Sequence, residues 1–332
     1  QTRLSGQSCL KLRLWAVFMQ KAVNESKKLV GAIIENRFLL TEVIGVGGLS
    51  TVFLAEHTKA DLRVAVKVLH SYISDSEESI ERFKREAAII NHLNHPNIVH
   101  VLSFGVLENA VEKADGSSME LDIQRPYLVL EHLQGEGLDK VLERERQMDE
   151  KEAYRIVCGV LKGLEEAHEL GIVHRDVKPS NVMLTSESSS FDRDYPLEHF
   201  QAIKLLDFGI AKCNKVHDEE RKSLTQPGFV FGSPLYMSPE QCMGRELDSL
   251  TDIYSFGCMY YRMLAGVAPF EGESAMHTFA MHLYETARPI GEEREGLAAG
   301  VAPIIERCLL KDKAKRFQSA REVMNALQAV YD

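Results

Sequence analysis

The hydrophobic pattern of this 332-residue chain changes period once along its length, and that change restricts the fold more than any other feature. From Arg37 onward, apolar and polar residues alternate in short runs around glycines, over 38–44, 52–56 and 63–69. A period of two belongs to strands with one buried face. After Gly135 and Gly137 the spacing lengthens to three and four. Over 149–170, Ala153, Ile156, Val160, Leu161, Leu164 and Ala167 fall on one helical face, and Gly171 stands where a C-terminal cap belongs. One helical pattern, 76–93, lies among the strands, with Ile80, Phe83, Ala87, Ile90 and Leu93 inward and acidic residues in its first turn. His95-Pro96-Asn97 stops it. Strands first and helices afterwards predict an α+β fold, a small β-rich lobe followed by a larger α-rich one.

Two polar stretches interrupt this order. Residues 109–124 separate the runs 98–106 and 127–133, and residues 185–201 separate two short strands, 182–184 and 203–206. Both read as insertions at the surface. Residues 1–34 read as a poorly ordered extension, with Met19 as a possible true start, residues 35–133 as the first lobe and 134–332 as the second. A hydrophobic content of 45% supports a sizeable core. The net charge of -10 argues against a nucleic-acid binder, which needs basic residues to displace counterions from phosphates. Six scattered cysteines without a C-x-x-C pair read as free thiols of a reducing compartment. No apolar stretch is long enough to span a membrane, so a cytoplasmic location is expected.

Three runs carry chemistry. Gly45-Val46-Gly47-Gly48-Leu49-Ser50-Thr51-Val52 joins two strands, so it is not the strand-to-helix loop of a dinucleotide fold. Glycines let backbone N–H groups approach phosphate oxygens, although a plain hairpin turn uses the same residues. Val64-Ala65-Val66-Lys67-Val68 sets a lysine inside an apolar strand, where an ammonium is costly unless a carboxylate and an anion meet it. Glu86, beside Phe83 and Ala87 on the following helix, is the candidate carboxylate. The plain alternatives are an edge-strand lysine and a solvated glutamate. His174-Arg175-Asp176-Val177-Lys178-Pro179-Ser180-Asn181 is the most specific run, and Asp207-Phe208-Gly209 follows it behind a short strand.

With Ser238-Pro239-Glu240, these runs resemble the Hanks-type protein kinases over about Arg37 to Ala329. Met237 to Gln241 and the Gly47-Gly48 pair are most similar to the bacterial branch. The resemblance implies a bilobal protein kinase fold and a protein serine/threonine kinase that moves the γ-phosphoryl group of ATP to Ser and Thr hydroxyls, with ATP and Mg²⁺ as cofactors. It implies Asp176 as the acid that takes or orients the hydroxyl proton, Lys178 as neutraliser of the transferred phosphoryl, and Asn181 and Asp207 as Mg²⁺ ligands. Lys67, paired with Glu86, would meet the phosphates. Ile44, Gly45, Gly47, Gly48 and Ser50 would surround them, with Ser50 standing where the family has its third glycine. Val52, Ala65 and Met183 would sandwich the adenine, Leu130 would be the gatekeeper, and backbone groups of Glu131 and Leu133 would bond the base edge. Lys178 and the run 232–237 look like the serine/threonine branch, with Ser233 in place of a usual threonine.

The resemblance also implies a structural pair between Glu240 and Arg316 and an acid, Asp252, that braces the catalytic loop. Arg175 implies ordering of the activation segment by a phosphorylated residue, with Thr225 as the main site and Ser223 as the second. Both are otherwise ordinary loop residues. Protein substrates are the implied partners, and dimerisation through the small lobe is a family possibility. Two other readings stay open: a pseudokinase scaffold, although Lys67, Asp176 and Asp207 are all kept, and a small-molecule phosphotransferase, against which the long segment ending in Ser-Pro-Glu speaks.

Overall fold

In the computed structural model, which describes residues 24, 27–71, 76–108, 110–185, 200, 202–208 and 233–331, the alternating runs become β1 (Ile33–Ile34), β2 (Phe38–Val46), β3 (Ser50–His57), β4 (Arg63–Leu69), β5 (Val101–Leu107), β6 (Ala110–Glu112), β7 (Ser118–Glu120) and β8 (Arg125–Glu131). Six of them form an antiparallel sheet in the order β1-β2-β3-β4-β8-β5. Cross-strand partners share a face. The pairs Gly45↔Val52, Val52↔Lys67, Leu54↔Ala65, Lys67↔Leu128 and Ala65↔Leu130 therefore display these residues together on one side. The opposite side, with Phe53, Ala55, Val64, Val66, Val68 and Val129, is fully buried.

What covers that buried side corrects one expectation and adds to another. Leu29, Ala32 and Ile34, assigned to an extension, are core residues, so the folded unit begins earlier than residue 35. The polar stretch 109–124 lies largely at the surface, as expected, and carries the hairpin β6–β7, whose Val111 and the nearby Leu121 join the same core. Ala32 bridges Lys113, and the Ala114 N–H donates to the Gly31 carbonyl at 2.9 Å, so the two segments brace each other.

The helix among the strands, α1 (Glu77–Ile90), starts at Ser76, whose hydroxyl accepts from the Ser79 N–H at 3.2 Å, and buries Ile80, Phe83, Ala87 and Ile90. It packs against β5 and β8. It ends at Ile90, three residues before the expected Leu93, and 93–99 belongs to the second compact unit of the chain. There Ile98 bridges Leu205, the Val99 N–H donates to the Leu205 carbonyl at 3.0 Å, and the Leu205 N–H donates to the Asn97 carbonyl at 2.8 Å. The expected run 98–106 is thus divided, and β5 begins only at Val101.

The second unit otherwise takes 134–209 and 232–332. It contains β9 (Gly135–Gly137), α2 (Leu138–Glu145), α3 (Glu150–Glu169), β10 (Val182–Thr185), β11 (Ala202–Leu205), α4 (Ser249–Ala265), α5 (Ala275–Tyr284), α6 (Val301–Cys308) and α7 (Ala320–Tyr331). Asp149 caps α3 by accepting from the N–H groups of Lys151 and Glu152, and Gly171 follows it with φ +73°, the left-handed turn the sequence anticipates. β9, β10 and β11 form a small antiparallel sheet. Gly135 is required there: a Cβ would sit 2.0 Å from the Leu184 carbonyl oxygen. Helix α4 is apolar almost all round and buried along nearly its whole length, packed on α3 and α6. No helix among the described residues is long and apolar enough to cross a membrane.

Candidate active site

In the first unit the strand of Lys67 has neighbours on both sides, which removes the edge-strand alternative. Its ammonium rises from the face shared with Val52, Ala65 and Leu130. Glu86 is half-buried on α1, next to Phe83 and Ala87 on the inward side. Gly47 and Gly48 form the exposed tip between β2 and β3, closed by the Gly47 N–H donating to the Ser50 carbonyl at 2.8 Å. A Cβ added at Gly48 would meet nothing within 4 Å. Packing among the described residues therefore does not demand glycine at 48. Ile44 is exposed beside it, while Ser50 is buried at the start of β3. The Glu131 N–H donates to the His100 carbonyl at 3.0 Å, and its carboxylate accepts from the His100 N–H at 2.8 Å, which fixes the end of β8 before Leu133.

The catalytic-loop candidates lie in the second unit, between α3 and β10. Lys178 Nζ donates to Asp176 Oδ2 at 2.8 Å, and Asn181 Nδ2 donates to the same oxygen at 3.1 Å and to the Asp176 carbonyl at 2.8 Å. One ammonium and one amide thus set the direction of the Asp176 carboxylate. Because the Asn181 amide nitrogen faces Asp176, its oxygen faces away, the atom a hard cation takes. The Leu206 N–H donates to the Asn181 carbonyl at 2.8 Å, which brings the strand end carrying Asp207 beside Asn181. Asp207 itself has φ +55°, a left-handed turn that re-aims its side chain. One carboxylate and one amide oxygen make a sparse, hard donor set, which suits an Mg²⁺ ion whose remaining ligands are waters and substrate phosphates. No group of three His, Cys, Asp or Glu side chains among the described residues could hold a metal alone.

The loop is held from below by Asp252, fully buried in the first turn of α4. Its Oδ2 accepts from the His174 N–H and from His168 Nε2, each at 2.8 Å, and its Oδ1 accepts from the Arg175 N–H at 2.8 Å. Arg175 has φ +64°, and that unusual backbone is pinned on both sides, since its carbonyl also accepts from Gln241 Nε2 at 2.9 Å. His174 Nε2 donates to the Leu206 carbonyl at 2.7 Å, while its Nδ1 accepts from the Asp176 N–H at 3.2 Å. Only a neutral imidazole can do both. Burial, working against nearby carboxylates, accordingly holds the His174 pKa below its ordinary value. The expected brace at Asp252 is present. The sequence does not single out His168, and it marks Gln241 only as the end of the run from Met237, not for this contact.

A second buried histidine gives a pH prediction. His282 is fully buried, its Nδ1 is 2.9 Å from the Tyr254 hydroxyl, and burial together with the Lys311 charge lowers its pKa to about 3. The unfolded chain takes up this proton near pH 6.5, while the folded chain does not. Stability is therefore fully present above about pH 6.5 and falls as the pH drops towards 3, by up to about 1.4 kcal/mol per pH unit from this group. Urea melts at pH 7 and pH 5 should show this loss, and a His282→Gln variant should show a shallower pH slope. Equal slopes in the two proteins would reject the assignment.

The structure thus gathers Gly45, Val52, Ala65, Lys67 and Leu130 on one sheet face, and Asp176, Lys178 and Asn181 around one loop, with the backbone just before Asp207 bonded to Asn181. Met183 stands half-buried on β10, paired with Lys204 and Gly137. Thr225 and Ser223 lie outside the described residues.

The chain is matched over residues 38–329 by the family model described as the protein kinase domain. It belongs to the protein kinase family. It is 36% identical over 310 residues to serine/threonine-protein kinase pkn3 of Myxococcus xanthus, covering 92% of this chain and 52% of that protein. It is 33% identical over 299 residues to serine/threonine-protein kinase PknB of Mycobacterium tuberculosis, covering 90% of this chain and 44% of that one. The chain thus spans about half the length of these relatives. Among solved structures, the kinase domain of PknI from Mycobacterium tuberculosis superposes with a TM-score of 0.64 at 23% identity, covering 91% of this chain and 98% of that one, a likeness of fold.

Proposed function

We propose that this chain is the catalytic part of a protein serine/threonine kinase that moves the γ-phosphoryl group of ATP to Ser and Thr hydroxyls of proteins. The observation that carries this reading is the Asp176 carboxylate aimed by Lys178 and Asn181, with the backbone leading to Asp207 bonded alongside. In the second unit, Asp176 receives the proton of the substrate hydroxyl as the hydroxyl oxygen bonds the γ-phosphorus and the bond to the β–γ bridging oxygen breaks, releasing ADP, and Lys178 offsets charge on the transferred group. Asn181 and Asp207 would hold Mg²⁺, which neutralises charge developing on the phosphate oxygens. In the first unit, Val52, Ala65 and Leu130 receive the adenine, backbone groups of Glu131 and Leu133 meet its edge, and Lys67, oriented by Glu86, meets the phosphates together with the glycine tip. Phosphate on Thr225, with Ser223 second, would pair with Arg175 and order the activation segment. The domain is assigned to the cytoplasm, where ATP and reduced thiols coexist, and self-association through the first unit is the route by which one copy would phosphorylate another.

The test is incubation of the chain with labelled ATP and Mg²⁺, alone and with a generic basic protein, followed by mapping of the label. Label on Ser and Thr of both proteins, with Thr225 foremost in the chain itself, is expected. ATP consumed only with a small alcohol would point instead to a small-molecule phosphotransferase, and label absent from both Thr225 and Ser223 in active protein would remove the regulatory assignment.

A further inference from the structure

The tip that carries Gly47 and Gly48 is tied to the strand of Lys67 by a residue that no motif accounts for. β4 ends at Leu69, and the next residue, His70, is fully buried. The His70 N–H donates to the Leu49 carbonyl at 2.9 Å. Its ring Nε2 lies 3.0 Å from the hydroxyl of Thr51, which is also fully buried. The ring is bonded as well to the backbone of Gly48. One side chain and its own N–H thus grip three of the four residues from Gly48 to Thr51, three positions along the chain from Lys67. Burial and the Arg125 charge lower the His70 pKa to about 4, so the ring is neutral and suited to bonds with uncharged partners.

We propose that His70 is a positioning residue for the phosphate-binding loop, fixing the height of Gly48, Leu49 and Thr51 over the strand that carries Lys67 and hence the place where the loop amides meet nucleotide phosphates. The proposal rests on the reading of this loop as the ATP phosphate loop. The ladder holds Ser50 against Leu69 and Thr51 between Val46 and Val68, but it stops short of the exposed Gly47 and Gly48, whose own closure is the bond from the Gly47 N–H to the Ser50 carbonyl. A loop whose amides must converge on an anion gains affinity from being held in place beforehand. The effect is confined to the phosphates, because the face that would take the adenine, with Val52, Ala65 and Leu130, is built by the sheet register and not by His70.

The experiment is calorimetric titration of the full chain with ATP, ADP and adenosine in the presence of Mg²⁺, comparing wild type with His70→Leu, His70→Gln and Thr51→Val. His70→Leu should weaken ATP and ADP about tenfold while adenosine changes by less than about twofold. His70→Gln, whose amide can reach the Thr51 hydroxyl, should recover most of the loss. Thr51→Val, which removes one hydroxyl at nearly constant volume, should cost about threefold on the phosphate-bearing ligands alone, and it carries the test should His70→Leu fail to fold. Equal losses for adenosine and ATP, or none for either, would overturn the role of His70 and leave the kinase reading intact. A wild-type chain that binds none of the three would overturn both.

Discussion

Replacing Asp176 by asparagine is expected to lower the turnover of phosphoryl transfer by about 10²- to 10⁴-fold, with ATP affinity changed by less than about twofold. The substitution keeps the shape of the side chain. One amide oxygen can still accept from Lys178 Nζ and from Asn181 Nδ2, which now converge on a single carboxylate oxygen at 2.8 and 3.1 Å. On the proposed mechanism, what is lost is the negative charge and the capacity to take a proton from the attacking hydroxyl. Positioned general bases contribute about 2.7–5.5 kcal/mol to a barrier, the energy equivalent of that rate loss. The loop itself should survive, because its backbone is held by Asp252 through His174 and Arg175 and not by the Asp176 carboxylate. The check is kcat and KM for ATP in both proteins, with melting curves to show equal stability. An unchanged kcat would remove Asp176 from the chemistry, while a fall matched by a lower melting temperature would assign it a structural role.

The site was more legible in the sequence than the fold around it, for a physical reason. The residues from His174 to Asn181 act on one another across two to five positions, so the chemistry compresses them into a run that can be read directly. Their supports are not local: His168 reaches Asp252 across 84 residues and Gln241 reaches Arg175 across 66. Asp252 was anticipated through the family resemblance, but a lone histidine or glutamine at such a distance gives no pattern. The hairpin within 109–124 is not legible in the sequence because a hairpin covering a sheet needs few apolar residues, and Val111 and Leu121 are isolated in polar surroundings. Likewise β8 enters between β4 and β5, an order that alternation cannot reveal, since period two fixes the face of a strand and not its neighbour. The glycine tip shows the same limit from the other side. The family resemblance implies phosphate contact for it, but the residue proposed to anchor it, His70, lies past the end of β4, two strands further along the chain.

Replacing Arg316 by methionine is expected to destabilise the chain by about 3–5 kcal/mol, a large part of the roughly 5–15 kcal/mol that holds a native protein together. Arg316 is fully buried, and its guanidinium meets Glu240 through two parallel bonds, Nη1 to Oε1 at 2.8 Å and Nη2 to Oε2 at 3.0 Å. It also donates to the carbonyls of Leu310, Leu250 and Lys311. Methionine fills much of the volume but satisfies none of these acceptors, so the cost falls mainly on a carboxylate left buried without its cation. Glu240 shows the balance: burial pushes its pKa up, but the Arg316 bonds and charge outweigh burial and leave it below the ordinary carboxylate range. With Arg316 gone, burial alone acts, and Glu240 in the variant should bind a proton at higher pH than in wild type. Two measurements separate this from a simple cavity. Urea melts at pH 7 should show the loss, and the deficit should shrink as the pH falls through the range where Glu240 in the variant becomes neutral, because a protonated carboxyl is cheaper to bury. Adding Glu240→Gln to the variant should restore part of the stability for the same reason. A double variant as unstable as the sum of the two single ones would mean that the pair contributes through shape and not through charge.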